Sequence, residues 1–207
     1  MRKFTLSNTW YGGSDNIFKN NTLEVNTGIT VLVGCNGIGK TTLLHQIKQN
    51  LKDNDIPVCS YDFFEDDEKK MRQKYLVDGE TRKLANFVTS SEGERITYIT
   101  CDLFYKIGRM INENPNSKEY WVLVDAIDSG LSIDGIIEVK ESIGWVLEEN
   151  KDKDVYFLIS TNSYELARKE KCLMVENGKY TRFFSYEDYR NYILDSRDYK
   201  NKRDGGL

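Results

Sequence analysis

The sequence predicts an α/β fold built on a mainly parallel central sheet. Three observations carry that reading. Short apolar runs alternate with helix-like stretches from residue 29 to residue 170, only Pro57 and Pro115 break the chain, and a glycine-rich turn joins one apolar run to a helix. Alternating strands and crossover helices are the arrangement that parallel pairing requires.

Taken in order, Lys3–Leu6 and Thr22–Val25 read as an N-terminal antiparallel β segment, and Ile29–Val33 as the first strand of the main sheet. Lys40–Lys52 follows the glycine-rich turn as a helix. Val58–Phe64 is the next strand, and a charged stretch, Glu65–Arg82, leads into the helix Gly93–Asn112; together about 65–112 form a minimal helical lobe. Tyr120–Val124 and Val155–Ser160 are buried strands with the helix Ile133–Glu149 between them, and Ser163–Lys169 is a short helix. Asn177-Gly178 between Cys172–Val175 and Tyr180–Phe184 is a hairpin signal, and an aromatic-rich helix runs over Tyr186–Lys200, closing a C-terminal unit of about 172–200.

Composition narrows the function classes. In 207 residues, 39% hydrophobic content is enough for one core, so the chain reads as a single domain over 1–207. With 33 acidic and 29 basic residues the net charge is −4, which gives no global reason for a polyanion partner. The N-terminal MRKFTLSNTWYGGSDN has no apolar core, no run approaches the roughly 18 residues of a membrane span, and mean hydropathy is −0.58. A cytoplasmic protein without membrane insertion is expected. Cys35, Cys59, Cys101 and Cys172 form no C-x-x-C pair and read as ordinary packed thiols, while the single His45 excludes histidine-rich metal sites.

The strongest signal is VLVGCNGIGKTTLL. An apolar strand leads into Gly34-Cys35-Asn36-Gly37-Ile38-Gly39-Lys40-Thr41 and then a helix, the P-loop pattern G-x-x-x-x-G-K-[ST]. Glycines let consecutive backbone N–H groups face an anion, and the helix N-terminus adds partial positive charge. Lys40 is then expected to reach the β- and γ-phosphates of ATP, the Thr41 hydroxyl to coordinate Mg²⁺, and Thr42 to bond the α-phosphate. Asp125, at the end of YWVLVD, is the carboxylate expected to reach the Mg²⁺. His45, one turn beyond Thr41, reads as a packed or solvated residue.

In YWVLVDAIDSGLS, the strand ending in Asp125 and the turn Asp128-Ser129-Gly130-Leu131-Ser132 resemble the Walker B strand and D-loop of ABC-type ATPases. Ser90-Ser91-Glu92-Gly93-Glu94 resembles that family's signature L-S-x-G-[QE], with Ser91, Gly93 and Glu94 on pattern. The resemblance implies that these three bind the γ-phosphate held by a second protomer, so that two chains sandwich two ATP molecules in a homodimer. It further implies that Leu158-Ile159-Ser160-Thr161-Asn162-Ser163 is the switch strand, with Asn162 where histidine is usual, and that Tyr11 or Trp10 stacks on adenine. Gln73 is the only glutamine downstream of Val58–Phe64, and it falls in the charged run, so no glutamine loop is identified.

After the magnesium aspartate the family carries a glutamate that orients the attacking water, and here the residue is Ala126. A positioned base contributes about 10²–10⁴-fold, so slow hydrolysis with intact ATP binding is expected. A trapping substitution, a naturally slow switch, and takeover by Asp128 are the three explanations; the second departure at Asn162 favours a naturally divergent site.

The small lobe and the Asp-Ser-Gly-Leu turn look more like the soluble RecF, SMC and OLD-type group than like transporters, and like the small stand-alone members of phages and mobile elements. The expectation is therefore a soluble ATPase switch in a nucleic-acid or defence-related complex, with a nucleic acid or a protein as its client. The alternatives are a transporter's nucleotide-binding subunit, a non-hydrolysing ATP-dependent scaffold, and a small P-loop kinase with Arg72 and Arg82 in its lid. The C-terminal Arg190, Arg197, Lys200, Lys202 and Arg203, interleaved with aspartates, read as a solvated helix face.

Overall fold

The computed structural model describes residues 1–7, 18–62, 68–128 and 131–205. Two strands, β1 (Arg2–Thr5) and β2 (Thr22–Val25), pair antiparallel as a small sheet of their own. The chain then runs through β3 (Gly28–Val33), α1 (Lys40–Asp53), β4 (Val58–Asp62), α2 (Glu68–Val77), α3 (Thr81–Thr89), α4 (Glu92–Glu113), β5 (Glu119–Asp125) and α5 (Ile133–Glu149). It ends with β6 (Asp154–Ser160), α6 (Tyr164–Ala167), β7 (Lys171–Met174), β8 (Lys179–Thr181) and α7 (Tyr186–Arg203).

The six strands of the main sheet lie in the order β4-β5-β6-β3-β7-β8, all parallel except the β7–β8 hairpin. Both faces are buried, which is why β5 and β6 read as nearly unbroken apolar runs. Tyr120, Val122 and Val124 of β5, with Val155, Phe157 and Ile159 of β6, face a core shared with α2–α6 and the start of α7. The alternate residues Trp121, Leu123, Tyr156 and Leu158 face a second core closed by α1 and the small sheet. There the fully buried Trp121 stacks on Tyr156 at 4.1 Å and receives Phe4 edge-on at 5.2 Å. Trp121→Ala is expected to cost about 3–5 kcal/mol by leaving a cavity between the two sheets. Chemical denaturation with an unchanged slope but a lowered midpoint checks it.

One helix, α2, occupies the charged, helix-like stretch in which the sequence offered no sustained apolar period, and a second, α3, follows it. Met71 and Tyr75, four residues apart, bury one stripe of α2, and Phe87 buries α3. The stripe is one residue per turn wide, too narrow to stand out among its charges. Gln73 lies on the exposed side of α2. The thiols also divide: Cys35, Cys59 and Cys172 are buried as expected, with burial pushing the Cys172 thiol up to about 12, but Cys101 is exposed on α4.

Because β3, β5 and β6 are parallel neighbours in register, their C-terminal ends meet at one edge. The segments leaving that edge are residues 34–39, the turn starting at Ala126, and Thr161–Asn162. Ligand sites of open parallel sheets form at such an edge.

Candidate functional site

The loop between β3 and α1 is held open by three glycines with positive φ, Gly34 (143°), Gly37 (77°) and Gly39 (119°). At Gly34 no side chain fits: a Cβ would stand 2.9 Å from the Ile38 side chain and 3.3 Å from Ser196 Oγ. Among the described residues, the backbone N–H groups of Asn36, Gly37, Gly39, Lys40, Thr41 and Thr42 make no hydrogen bond. A run of unbonded donors at a helix N-terminus is the form of an anion cradle.

Lys40 closes the cradle. Its Nζ donates to the Gly34 carbonyl at 2.7 Å, the Cys35 carbonyl at 3.3 Å and Asn162 Oδ1 at 2.9 Å. Burial pulls this ammonium below the usual lysine range, against the opposing pull of Cys35, Asp125 and Asp128. An arriving anion would relieve that cost, since a buried cation is stabilised by the partner it lacks.

The neighbouring strand ends are tied to it. Asn162 N–H donates to Asp128 Oδ2 at 3.0 Å, and Asp128 Oδ1 is buried without a hydrogen-bond partner among the described residues. Ser160 Oγ donates to Asp125 Oδ1 and accepts from the Ala126 N–H at 2.9 Å. Ala126 itself stands at φ +52°, a left-handed conformation that costs an L residue about 1–2 kcal/mol. Thus Lys40, Asp125, Asp128, Asn162 and residues 34–42, all singled out by sequence, come together at one sheet edge. Ser160 joins them as the link between Asp125 and Ala126. Sequence order alone marked it only as the last residue of a strand.

Three sequence expectations fall elsewhere. Tyr11 and Trp10, with Ser129 and Gly130, lie outside the described residues. Ser91 is the N-cap of α4 and forms a capping box with Glu94, whose carboxylate accepts from the Ser91 N–H at 2.7 Å and the Ser91 hydroxyl at 2.8 Å. Those bonds hold the Glu94 carboxyl below the usual range. Gly93 follows within the same first turn. Among the described residues no hydrogen bond joins Ser91 or Glu94 to the glycine loop. His45 is exposed on α1.

The C-terminal helix departs most from expectation. One face of α7 grips the glycine loop. The Tyr192 hydroxyl is 3.1 Å from the Val33 carbonyl, Ser196 Oγ accepts from the Cys35 N–H at 3.0 Å, and Arg203 donates to the carbonyls of Gly37 (3.2 Å) and Ile38 (3.1 Å). The spacing 192, 196, 203 is one helical stripe, so the face is set by period, while its target lies more than a hundred residues away in sequence. Arg203 and Lys200 are therefore not on a solvated face, as their interleaved aspartates implied; Arg203 is 13% exposed.

Among the described residues no group of three or more His, Cys, Asp or Glu side chains could hold a metal ion, and no helix is long and apolar enough to cross a membrane. No protein-family model matches the chain, and no curated protein matches it.

Proposed function

We propose that the chain is a Mg-ATP-binding ATPase of the ABC type, with a P-loop at residues 34–41, that dimerises on ATP and hydrolyses it slowly. The observation that carries this reading is the row of unbonded N–H groups between β3 and α1, closed by a desolvated lysine ammonium. A polyphosphate supplies what each of those groups lacks.

In this reading the N–H row binds the phosphates and Lys40 exchanges its carbonyl partners for β- and γ-oxygens. Thr42 bonds the α-phosphate. The Thr41 hydroxyl and Asp125 would hold Mg²⁺. When bound, Mg²⁺ draws off charge that builds on the transferring phosphoryl group. Ser160 keeps Asp125 oriented. Asn162 turns its amide from Lys40 to the terminal phosphate or its water, and Asp128, tied to the Asn162 N–H and with its other oxygen unpartnered, is the carboxylate offered to orient that water.

Dimerisation would bring the α4 N-terminus of one protomer, with Ser91, Gly93 and Glu94, over the phosphates of the other. The Ser91 hydroxyl then trades the Glu94 carboxylate for a phosphate oxygen, a like-for-like exchange of anionic acceptors. The test is solution mass by light scattering with Mg-ATP, with Mg-ADP and without nucleotide. Mass doubles with ATP alone and Ser91→Arg abolishes the doubling, because the larger side chain fills the space the phosphate needs. A mass that never responds to ATP sinks the dimer switch. The client of the switch would be a nucleic-acid or protein complex. A second reading, a non-hydrolysing ATP-dependent scaffold, is favoured by one observation: residue 126 offers a methyl group where a water-orienting carboxylate is needed.

A further inference from the structure

The charges of α7 are segregated by its helical period. At 100° per residue, Tyr186, Arg190, Ile193, Arg197, Lys200 and Asn201 fall within a stripe about 100° wide, and Glu187, Asp188, Asp195 and Asp198 all fall outside it. A helix of nearly balanced charge is thus cationic along one flank. That flank forms one wall of a cavity of about 540 Å³ whose other wall is made by Asn36 of the glycine loop with Asn162 and Tyr164.

Of the groups facing this space, Arg190 is paired with Glu187 at 3.4 Å and Asn162 is held by Lys40 and Asp128, while two cations and one hydroxyl have no such partner. The side chains of Arg197 and Lys200 make no hydrogen bond or ion pair among the described residues. The Lys200 ammonium rests 3.2 Å from where a Cβ on Gly37 would stand, which places it at the loop, with Asp204 near enough to feel its charge but not in an ion pair with it. Tyr189 also lines the cavity, and its hydroxyl is buried with no hydrogen-bond partner among the described residues. Tyr186, 61% exposed, meets Tyr164 edge to face at 5.8 Å, which presents a flat ring beside the cations. Unpaired arginine and lysine next to an open aromatic face recognise a phosphate ester that carries a planar base.

We propose that this cavity is a second ligand site that takes a nucleotide unit, its phosphate on Arg197 and Lys200 and its base on Tyr186, separate from any nucleotide held in the glycine loop. The unit is either a free mononucleotide or part of a single strand. The flank from 186 to 201 runs about 22 Å, longer than one nucleotide. The inference stands on α7 and the cavity and does not rest on the ATP reading.

The experiment is fluorescence anisotropy of a labelled single-stranded oligothymidylate with a 5′-hydroxyl end, titrated with the full chain, with thymidine 5′-monophosphate as competitor. The strand binds, and Arg197→Ala with Lys200→Ala weakens it by about tenfold or more. The double variant also lowers the slope of log affinity against log salt by about 0.7, the worth of the one phosphate that is no longer neutralised. Tyr186→Ala, at an exposed position, weakens binding by about tenfold. Lys202→Ala, outside the stripe, binds as the natural chain does. Displacement by the mononucleotide identifies the free nucleotide as ligand, and indifference to it identifies the strand. The site is overturned if neither probe binds or if the double variant binds unchanged. It is equally overturned if Lys40→Met abolishes strand binding, since the probe then sits in the glycine loop. A natural chain that binds the strand but not ATP would refute the ATP reading alone.

Discussion

Ala126→Glu raises phosphate release from ATP by about 100-fold, the lower end of what a positioned carboxylate supplies. Residue 126 directly follows Asp125, and its N–H is tied to Ser160 Oγ, the hydroxyl that also holds Asp125. The backbone at this point is fixed relative to the carboxylate that would carry Mg²⁺. The left-handed φ of +52° does not oppose the change, because alanine already bears the Cβ that makes that conformation costly. Steady-state phosphate release, measured beside ATP affinity, checks it. A variant that binds ATP like the natural chain and hydrolyses no faster would mean that the attacking water does not approach residue 126. The scaffold reading would then gain, as would a role for Asp128 already fulfilled.

Lys40→Met weakens ATP binding by about 100-fold, the worth of its charge-assisted bonds to phosphate. The same change removes the pH dependence that Lys40 gives the fold, along with the three hydrogen bonds of its ammonium. Burial lowers the Lys40 pKa in the folded chain, so the charged form is disfavoured there relative to the unfolded chain. At neutral pH that is a cost, and it fades only as pH rises through the lowered folded value toward the ordinary lysine range. Methionine keeps the aliphatic stem and removes the cost. Calorimetric titration with Mg-ATP, with thermal melts at pH 7 and pH 9, separates the two effects. The natural chain gains stability relative to the variant on going to the higher pH. An ATP affinity that Lys40→Met leaves untouched would remove the glycine loop from any phosphate-binding role.

The parts of this molecule that could be read from sequence are those whose cause is local. β5 and β6 announce themselves because both faces of a parallel strand are apolar. The loop at 34–41 announces itself because three left-handed positions leave glycine little competition. The Asn177-Gly178 hairpin follows the same logic, with Gly178 at φ +68°. What stayed hidden depends on partners distant in sequence. α2 is a run of good helix formers, but its narrow apolar stripe finds its place through contacts such as that of Tyr75 with Phe87 of α3 at 5.9 Å, which a linear string does not display. The Ser160 link between Asp125 and Ala126 requires β5 and β6 to be paired first. The α7 stripe looked like a solvated, charge-balanced helix, since a linear string of Arg, Lys and Asp does not display which side each takes. Ser91 and Glu94 form the helix cap that a polar SSEGE string makes by itself, and only a second protomer would test their other role.

The grip of α7 on the glycine loop has a consequence for how the site comes into being. Ser196 and Arg203 are translated more than a hundred residues after the segment they brace, and Tyr192 fastens the same helix to the end of β3. During vectorial synthesis the strand–loop–helix unit therefore leaves the ribosome early without its splint, with its cradle unformed or floppy. The contacts that brace residues 35, 37 and 38 can form only once the C-terminal helix has been made and has docked.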